Sequence, residues 1–236
     1  MPTLVIDIET VGESFDTLDD ITKDALNASA RRGAANEEEF TRRLTTTQQE
    51  LVFSPLTGYI VAIGMLDVER DKSVVYFQSP TQKEPEFEED GVMYKPMTER
   101  EALASFWQGA KNYTEFVTFN GRGFDVPYLL IRSAIHRVRP TKNLMANRYL
   151  GSQPYNAKHV DLLEELSFYG AARRQSLHLY CHAFGITSPK EDGIAGEDVA
   201  GLFAAGNYKD IARYNARDIR ATKELYQYWN DYLRFS

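Results

Sequence analysis

Cysteine and long apolar runs are nearly absent from this chain, and each absence excludes a class of protein. The single cysteine, Cys181, cannot form an internal disulfide and has no second thiol with which to share a zinc ion, so we expect it in the core. A chain without disulfides suits a reducing cytoplasm, which is the location we predict. No stretch approaches the roughly 20 apolar residues of a membrane span, and no charged leader precedes Thr3, so we expect neither secretion nor membrane embedding.

Positive charge is also scarce. The chain has 27 Lys and Arg against 34 Asp and Glu, a formal net charge of -7, which does not favour nucleic-acid binding by the surface as a whole. Basic residues nevertheless outnumber acidic ones between Arg122 and Arg174. That segment either presents a local face that holds phosphates or is a solvated surface, and composition does not separate the two.

The length and composition bound the fold. With 236 residues, 43% of them hydrophobic, the chain can bury one sizeable core, and we predict a single domain over residues 1–236. Strands come first and then alternate with helices, which predicts an α/β fold with a mixed sheet covered by helices on both faces. We predict strands at 3–10, 58–66, 73–78, 115–119 and 159–161. We predict helices at about 98–113, 125–136, 176–183, 197–204 and 208–233.

A long polar segment, at about 13–52, separates the first two predicted strands. Its composition and thin apolar stripes favour two helices inserted beside the sheet. The basic pairs Arg31-Arg32 and Arg42-Arg43 fit a lid over a substrate, and a passive decoration is the alternative. A second polar segment, the acidic run at 84–90, is expected to be an exposed loop.

Two carboxylates stand on the first predicted strand. Side chains alternate between the faces of a strand, so Asp7 and Glu9 share one face while Leu4, Ile6 and Ile8 share the other. Placing two acids side by side on an otherwise apolar strand costs several kcal/mol unless a cation compensates. The pair therefore indicates a metal site.

Two further acids occupy positions that fit the same site. On the last predicted helix, Asp218 and Tyr214 lie one turn apart on an apolar stripe, and Asp218 either binds a metal or pairs with a base from another element. Asp125 follows a strand at the start of a helix, where an aspartate is either a helix N-cap or a ligand at the edge of the sheet.

Four clustered carboxylates call for a hard cation. All-oxygen ligation suits Mg²⁺ or Mn²⁺, whereas His159, His178 and His182 do not form a convincing zinc set with Cys181. Two such ions, about 3.5 to 4 Å apart, would activate water and stabilise the leaving oxygen of a phosphodiester. The acids therefore favour phosphoryl transfer as the reaction.

Three segments together resemble the exonuclease motifs of the DEDD superfamily. They are Asp7-Ile8-Glu9-Thr10, the stretch 119–129 (Phe-Asn-Gly-Arg-Gly-Phe-Asp-Val-Pro-Tyr-Leu) and Tyr214-Asn215-Ala216-Arg217-Asp218. The order, residue types and internal spacings are most similar to those of the proofreading exonuclease of family B DNA polymerases and its stand-alone relatives. This resemblance implies a ribonuclease H-like fold and hydrolysis of nucleotides from the 3′ end of single-stranded DNA. Because no polymerase domain is attached, it implies a free-standing nuclease or one that works with an unidentified protein partner.

The resemblance also assigns roles to residues. It implies that two divalent ions are held by Asp7, Glu9, Asp125 and Asp218. From their positions along the strand, we expect Asp7, deeper in the sheet, to bridge both ions and Glu9, nearer the strand end, to hold the ion that activates water. The superfamily divides by its third motif, and Tyr214, with Arg213 where the other branch has a histidine, places this chain in the tyrosine branch. Tyr214 would orient the attacking water, since a phenol with a pKa near 10 is a poor base at neutral pH. Asn120 and Phe124 match positions that contact the terminal nucleotides, and Thr10 is a further candidate to hydrogen-bond the terminal nucleotide.

Several alternatives stay open at this stage. The substrate could be RNA, because reading a 2′-hydroxyl needs only one side chain. A non-catalytic nucleic-acid-binding module would not need a carboxylate cluster, which opposes phosphate binding, and a glycosidase would need an opposing acid across the sugar. Phe124 could instead be a core residue, and Thr10 could simply end its strand. For Asp161 we favour a helix cap over a role in orienting the site.

Overall fold

The computed structural model describes residues 2–191 and 193–235. In this part of the chain, seven strands form one mixed sheet in the order β4-β5-β3-β2-β1-β6-β7. The strands are β1 (Thr3–Gly12), β2 (Gly58–Asp67), β3 (Lys72–Phe77), β4 (Phe87–Glu89), β5 (Val92–Pro96), β6 (Glu115–Thr118) and β7 (Lys158–Asp161). The helices are α1 (Asp20–Arg32), α2 (Glu37–Gln49), α3 (Glu99–Ala110), α4 (Asp125–Ile135), α5 (Leu162–Leu166), α6 (Leu177–Phe184), α7 (Val199–Ala204) and α8 (Tyr208–Tyr232).

Strand β1 lies inside the sheet and has a different kind of neighbour on each side. It pairs antiparallel with β2 and parallel with β6, while β2 pairs antiparallel with β3. The predicted strands at 3–10, 58–66 and 73–78 thus form a meander in which β2 and β3 make a hairpin beside β1. Because side chains alternate, Leu4, Ile6 and Ile8 pack with α3 and α4 on one face, and Val5 joins a second cluster with α5, α6 and α8 on the other. The mixed α/β sheet flanked by helices is confirmed.

The long helix α8 covers the face of the sheet that carries Asp7 and Glu9. The stripe of α8 that carries Tyr214 and Asp218 is buried along its length: Ile211, Tyr214, Asp218, Ala221, Leu225 and Trp229. Glu115 of β6 lies beside Thr3, the first residue of β1, and is buried. It accepts hydrogen bonds from Arg234 and from the Tyr226 hydroxyl, which link the C-terminal end of α8 to β6. The position of Asp218 above β1 is thus fixed by packing on both sides of it.

The polar segment after β1 forms the two predicted helices. Asp19 caps α1 through the Thr22 N–H, and Asn36 caps α2 through the Glu39 N–H. The two helices bury little of their surface, and the chain returns to the sheet through a 3₁₀ turn, Glu50–Phe53, in which Leu51 is buried. No helix within 2–191 or 193–235 combines the length and the hydrophobicity needed to cross a membrane.

The acidic run at 84–90 was wrongly predicted to be only an exposed loop. It contains the edge strand β4, which pairs antiparallel with β5, a strand that the sequence pattern did not predict. The Phe87 ring stacks on Tyr94 with 4.6 Å between centroids, and that apolar contact compensates for the charged neighbours. Cys181 lies in the core as expected, and Thr98 and Glu101 form a capping box at the start of α3.

Candidate metal centre

Three carboxylates meet where β1 passes beneath α8. Asp7 and Glu9 come from β1 and Asp218 from α8, and one ligand oxygen of each lies within 4.8 Å of the others. Glu9 and Asp218 are buried, and Asp7 is partly buried. The alternation of the strand and the inward stripe of the helix, both visible in the sequence, bring these side chains together.

Asp125 lies beside this cluster and contacts β1 directly. It is the first residue of α4, and its Oδ1 accepts the Ile8 N–H at 3.1 Å. The N-cap position is occupied by Phe124, so the alternative of Asp125 as a helix cap is wrong. Asp125 is not among the three acids whose oxygens meet within 4.8 Å, but its charge acts on both Asp7 and Glu9.

Burial raises the pKa of every carboxyl in this group, and repulsion by neighbouring acids adds to it for Asp7, Glu9 and Asp125. Desolvation contributes most to the raised pKa of Asp7 and of Glu9, followed by the charges of Asp218 and Asp125. Burial likewise raises the pKa of Asp125 and of Asp218 to about 7. The strong ion pairs of the described chain engage other acids, Glu99, Glu115 and Glu164 among them. Arg217 and Lys190 lower the pKa of Asp218 in part, but burial still keeps it at about 7, so their attraction does not offset the cost of burying this acid.

Asn215 orients Asp7, and the motif comparison gave it no role. Its Nδ2 donates to Asp7 Oδ2 at 2.7 Å, and its side chain is fully buried. Gly64, paired with Asp7 across the β1–β2 ladder, leaves the space that Asn215 fills, since a Cβ there would lie 2.3 Å from Asn215 Oδ1. A glycine opposite an acid in a predicted hairpin is the signal that could have identified this contact.

Replacing Gly64 by alanine is expected to destabilise the protein by about 1 to 3 kcal/mol, because the added methyl forces the fully buried Asn215 and α8 away from the sheet. Gly109→Ala in α3 is the matched control, since a Cβ there meets nothing within 4 Å and alanine is the better helix former. Thermal unfolding of both variants measures the difference. Equal melting temperatures for Gly64→Ala and Gly109→Ala would contradict the close approach of α8 to the sheet at Gly64.

Asp161 holds the loop that leads into α4. Its side chain caps α5 through the Leu163 N–H and also accepts the backbone N–H groups of Asn120 and Arg122, each at 2.9 Å. Asn120 has a φ of 63°, a left-handed conformation that these hydrogen bonds stabilise. The predicted cap is present, and Asp161 additionally positions the segment that carries Asn120.

A groove of about 800 Å³ opens beside Glu9. Thr10 and Phe124 line it, together with the 3₁₀ turn after α2 and the start of α7. Thr10 is buried and donates its hydroxyl to the Val52 carbonyl, while Phe124 is half-buried and packs on Tyr128. Phe124 thus contacts the core and borders the groove at the same time.

Tyr214 faces the acid cluster, whereas Arg213 points away from it. The Tyr214 hydroxyl hydrogen-bonds Asp218, and burial followed by the charge of Asp218 raises the pKa of Tyr214 far above its usual value. Arg213 instead pairs with Glu89 of β4 and with Asp210. Tyr214 therefore borders the carboxylates, and Arg213 does not.

Several arginines of the basic segment are already engaged. Arg132 forms a buried ion pair with Glu99, and both Arg148 and Arg174 bind Glu164. These three side chains stabilise the fold and are not free phosphate ligands, so the count of basic residues overstated the charge available there.

The sequence of residues 59–235 matches the model of a family described as a predicted 3′-5′ exonuclease related to the exonuclease domain of PolB. That match spans three quarters of the chain. The chain belongs to this exonuclease family. The resemblance expected from the three motifs is confirmed, although the matched segment begins after β1 and so leaves Asp7 and Glu9 outside it.

A solved structure is similar to this exonuclease family member over nearly its whole length. The family B DNA polymerase of the hyperthermophilic archaeon Pyrobaculum calidifontis superposes with a TM-score of 0.59 at 16% identity, covering 97% of this chain and 24% of the polymerase. This likeness confirms the predicted ribonuclease H-like fold, and the chain spans about a quarter of that polymerase's length. Among curated proteins, none matches the sequence.

Proposed function

We propose that this chain is a single-domain, metal-dependent 3′ to 5′ exonuclease that hydrolyses phosphodiester bonds at the end of single-stranded DNA. The observation that carries the proposal is the buried meeting of Asp7, Glu9 and Asp218, with ligand oxygens within 4.8 Å of one another. A cluster of raised-pKa carboxylates opposes the binding of phosphate on its own, and it becomes useful to a nuclease when cations neutralise it.

The donor set fits Mg²⁺ or Mn²⁺. It consists of carboxylate oxygens only, and neither a thiol nor an imidazole takes part: Cys181 is buried in the core, and the His159 ring hydrogen-bonds Thr118 and the Leu144 carbonyl. We propose that Asp7, Glu9 and Asp218, with Asp125 beside them, hold two such ions. Divalent ions at this position would activate water and stabilise the leaving oxygen of a phosphodiester.

Three residues are candidates for binding the substrate strand. Asn120 is fixed by Asp161, and Thr10 and Phe124 line the groove beside Glu9. We propose that they contact the last nucleotides, with Phe124 offering part of its ring for stacking. The relation of the family to a DNA polymerase exonuclease domain supports DNA over RNA as the substrate.

The test is degradation of a 5′-labelled single-stranded oligonucleotide with Mg²⁺, and with EDTA in a parallel reaction. We expect a ladder of products shortened from the 3′ end that EDTA abolishes. Matched DNA and RNA strands separate the two substrates, and a large preference for RNA would overturn the choice of DNA. Binding of DNA without metal binding, measured by calorimetry, and without cleavage would favour a non-catalytic module.

Replacing Tyr214 by phenylalanine is expected to lower kcat about 10- to 100-fold while KM changes little. The buried hydroxyl has a strongly raised pKa and therefore acts as a hydrogen-bonding group and not as a base. Steady-state kinetics on the same oligonucleotide measure kcat and KM separately. Tyr228→Phe on an exposed turn of α8 is the matched control, and an equal loss in both variants would remove Tyr214 from the site.

A further inference from the structure

Phe53 has a solvent-exposed aromatic side chain beside the acid cluster. It ends the 3₁₀ turn Glu50–Phe53, is 65% exposed, and lines the same groove as Glu9 and Thr10. Its ring meets Phe124 edge to face with 6.4 Å between centroids, so one face of the Phe53 ring stays uncovered. Phe53 precedes the segment that the family model matches, which begins at residue 59.

The backbone that carries this ring is held on several sides. Buried Leu51 anchors the turn, and the Tyr128 hydroxyl lies 2.8 Å from the Val52 carbonyl and 2.9 Å from the Ser54 carbonyl. Gly12 allows the turn to approach β1 closely, since a Cβ there would lie 2.9 Å from Val52 N. The exposed ring therefore stands at a fixed position relative to β1, which lowers the entropy lost when a ligand binds against it.

The lining of the groove indicates which part of a nucleic acid could occupy it. None of the described residues that line it is a Lys, Arg or His, and three are acids: Glu9, Glu13 and Glu197. Such a surface repels phosphate, whereas the neutral face of a nucleobase is not repelled. A volume of about 800 Å³ is within the range of pockets that hold small organic molecules.

We propose that Phe53 is a substrate-binding residue that stacks on an unpaired nucleobase within the last three nucleotides of the substrate strand. This inference rests on the proposed exonuclease function and adds to it a base-binding surface supplied by the segment between β1 and β2. Because every base has a stackable face, the contact favours single strands with little preference for sequence.

The experiment compares wild type, Phe53→Ala and Phe53→Trp on single-stranded DNA carrying one abasic residue at the first, second or third position from the 3′ end. On the intact strand, Phe53→Ala is expected to raise KM about tenfold with kcat preserved, and Phe53→Trp to restore the wild-type KM. At the one position where the stacked base is removed, wild type and Phe53→Ala should have equal KM values. Tyr232→Ala, which removes a 78% exposed ring from the end of α8, is the control and should behave as wild type.

Two results would overturn the inference: an unchanged KM for Phe53→Ala on the intact strand, or a KM difference that persists at all three abasic positions. Equilibrium binding of the same strands in EDTA provides a second measurement and should show the same pattern. If the wild type cleaves the strand and Phe53→Ala has no effect, the stacking proposal is wrong and the proposed exonuclease function stands. No cleavage by wild type would count against the proposed function, and the binding measurement would still decide whether Phe53 stacks on a base.

Discussion

Replacing Asp7 by asparagine is expected to reduce the rate of single-strand cleavage about a thousandfold or more, which corresponds to roughly 4 kcal/mol of lost transition-state stabilisation. Asp7 contributes a carboxylate to the three-acid cluster and is held there by the amide of Asn215. Asparagine keeps the size of the side chain but removes the charge and one of the oxygens that a hard cation prefers. Single-turnover cleavage of the labelled oligonucleotide in Mg²⁺ measures the loss, and calorimetry measures the accompanying loss of metal affinity.

The control for this substitution is Asp71→Asn, the same chemical change at an exposed turn between β2 and β3, where the carboxylate pairs with Lys223. It should leave the rate unchanged. If Asp7→Asn retained full activity while folding as the wild type does, the assignment of the acid cluster as the catalytic centre would be wrong.

The parts of the site that follow from local periodicity could be predicted from the sequence. A spacing of two residues places Asp7 and Glu9 on one face of a strand, and a spacing of four places Tyr214 and Asp218 on one face of a helix. Both placements depend on backbone geometry alone. That the strand and the helix then meet follows from their apolar faces, because each must be buried against another element.

Contacts that depend on close approach between distant segments could not be predicted in this way. Asn215 reaches Asp7 only because Gly64, more than 50 residues after Asp7, lacks a side chain at the crossing point. Asp161 reaches the backbone of Asn120 because β6 and β7 are adjacent and parallel, a pairing that periodicity does not specify. The edge strand β4 was missed because its charged residues carry no apolar alternation, and it is stabilised by contacts between distant segments, the stacking of Phe87 on Tyr94 and the ion pair of Glu89 with Arg213.

The electrostatic state of the cluster connects function with stability. Desolvation raises the pKa of all four acids, and repulsion by neighbouring acids raises that of Asp7, Glu9 and Asp125 further, so the metal-free protein holds protons that the unfolded chain would release. By contrast, Glu99 and Glu115 are also buried, yet ion pairs with arginines keep the pKa of each below its usual value despite desolvation. The fold therefore neutralises those two acids with arginines, whereas at the candidate metal centre the attraction of Arg217 and Lys190 still leaves the pKa of Asp218 at about 7.

Replacing Asp218 by asparagine is expected to stabilise the metal-free protein by about 2 kcal/mol at pH 8, a rise in melting temperature of about 5 °C for a chain of this length. The reason is the raised pKa of Asp218, about 7 against an ordinary value of 3.8. Between these two values the folded state binds more protons than the unfolded state, so the stability of the wild type falls as the pH rises. The advantage of the asparagine variant should accordingly shrink as the pH falls through this window, to roughly a third of its size at pH 5, and should vanish below the unfolded value of 3.8.

In divalent ions the wild type should become the more stable of the two proteins, the reverse of their order without metal. This reversal distinguishes a metal centre from a group of acids that is crowded but binds no metal. In excess Mg²⁺ the wild type gains stability by binding, whereas Asp218→Asn has lost a ligand and gains less. Melting curves at pH 5 and pH 8, each recorded in EDTA and in Mg²⁺, measure both effects, and Asp16→Asn at an exposed site of the segment after β1 controls for net charge. A variant less stable than wild type in EDTA at pH 8, or a wild type that Mg²⁺ does not stabilise, would mean that the charges of Asp7, Glu9 and Asp218 are balanced within the protein and that no cation is needed.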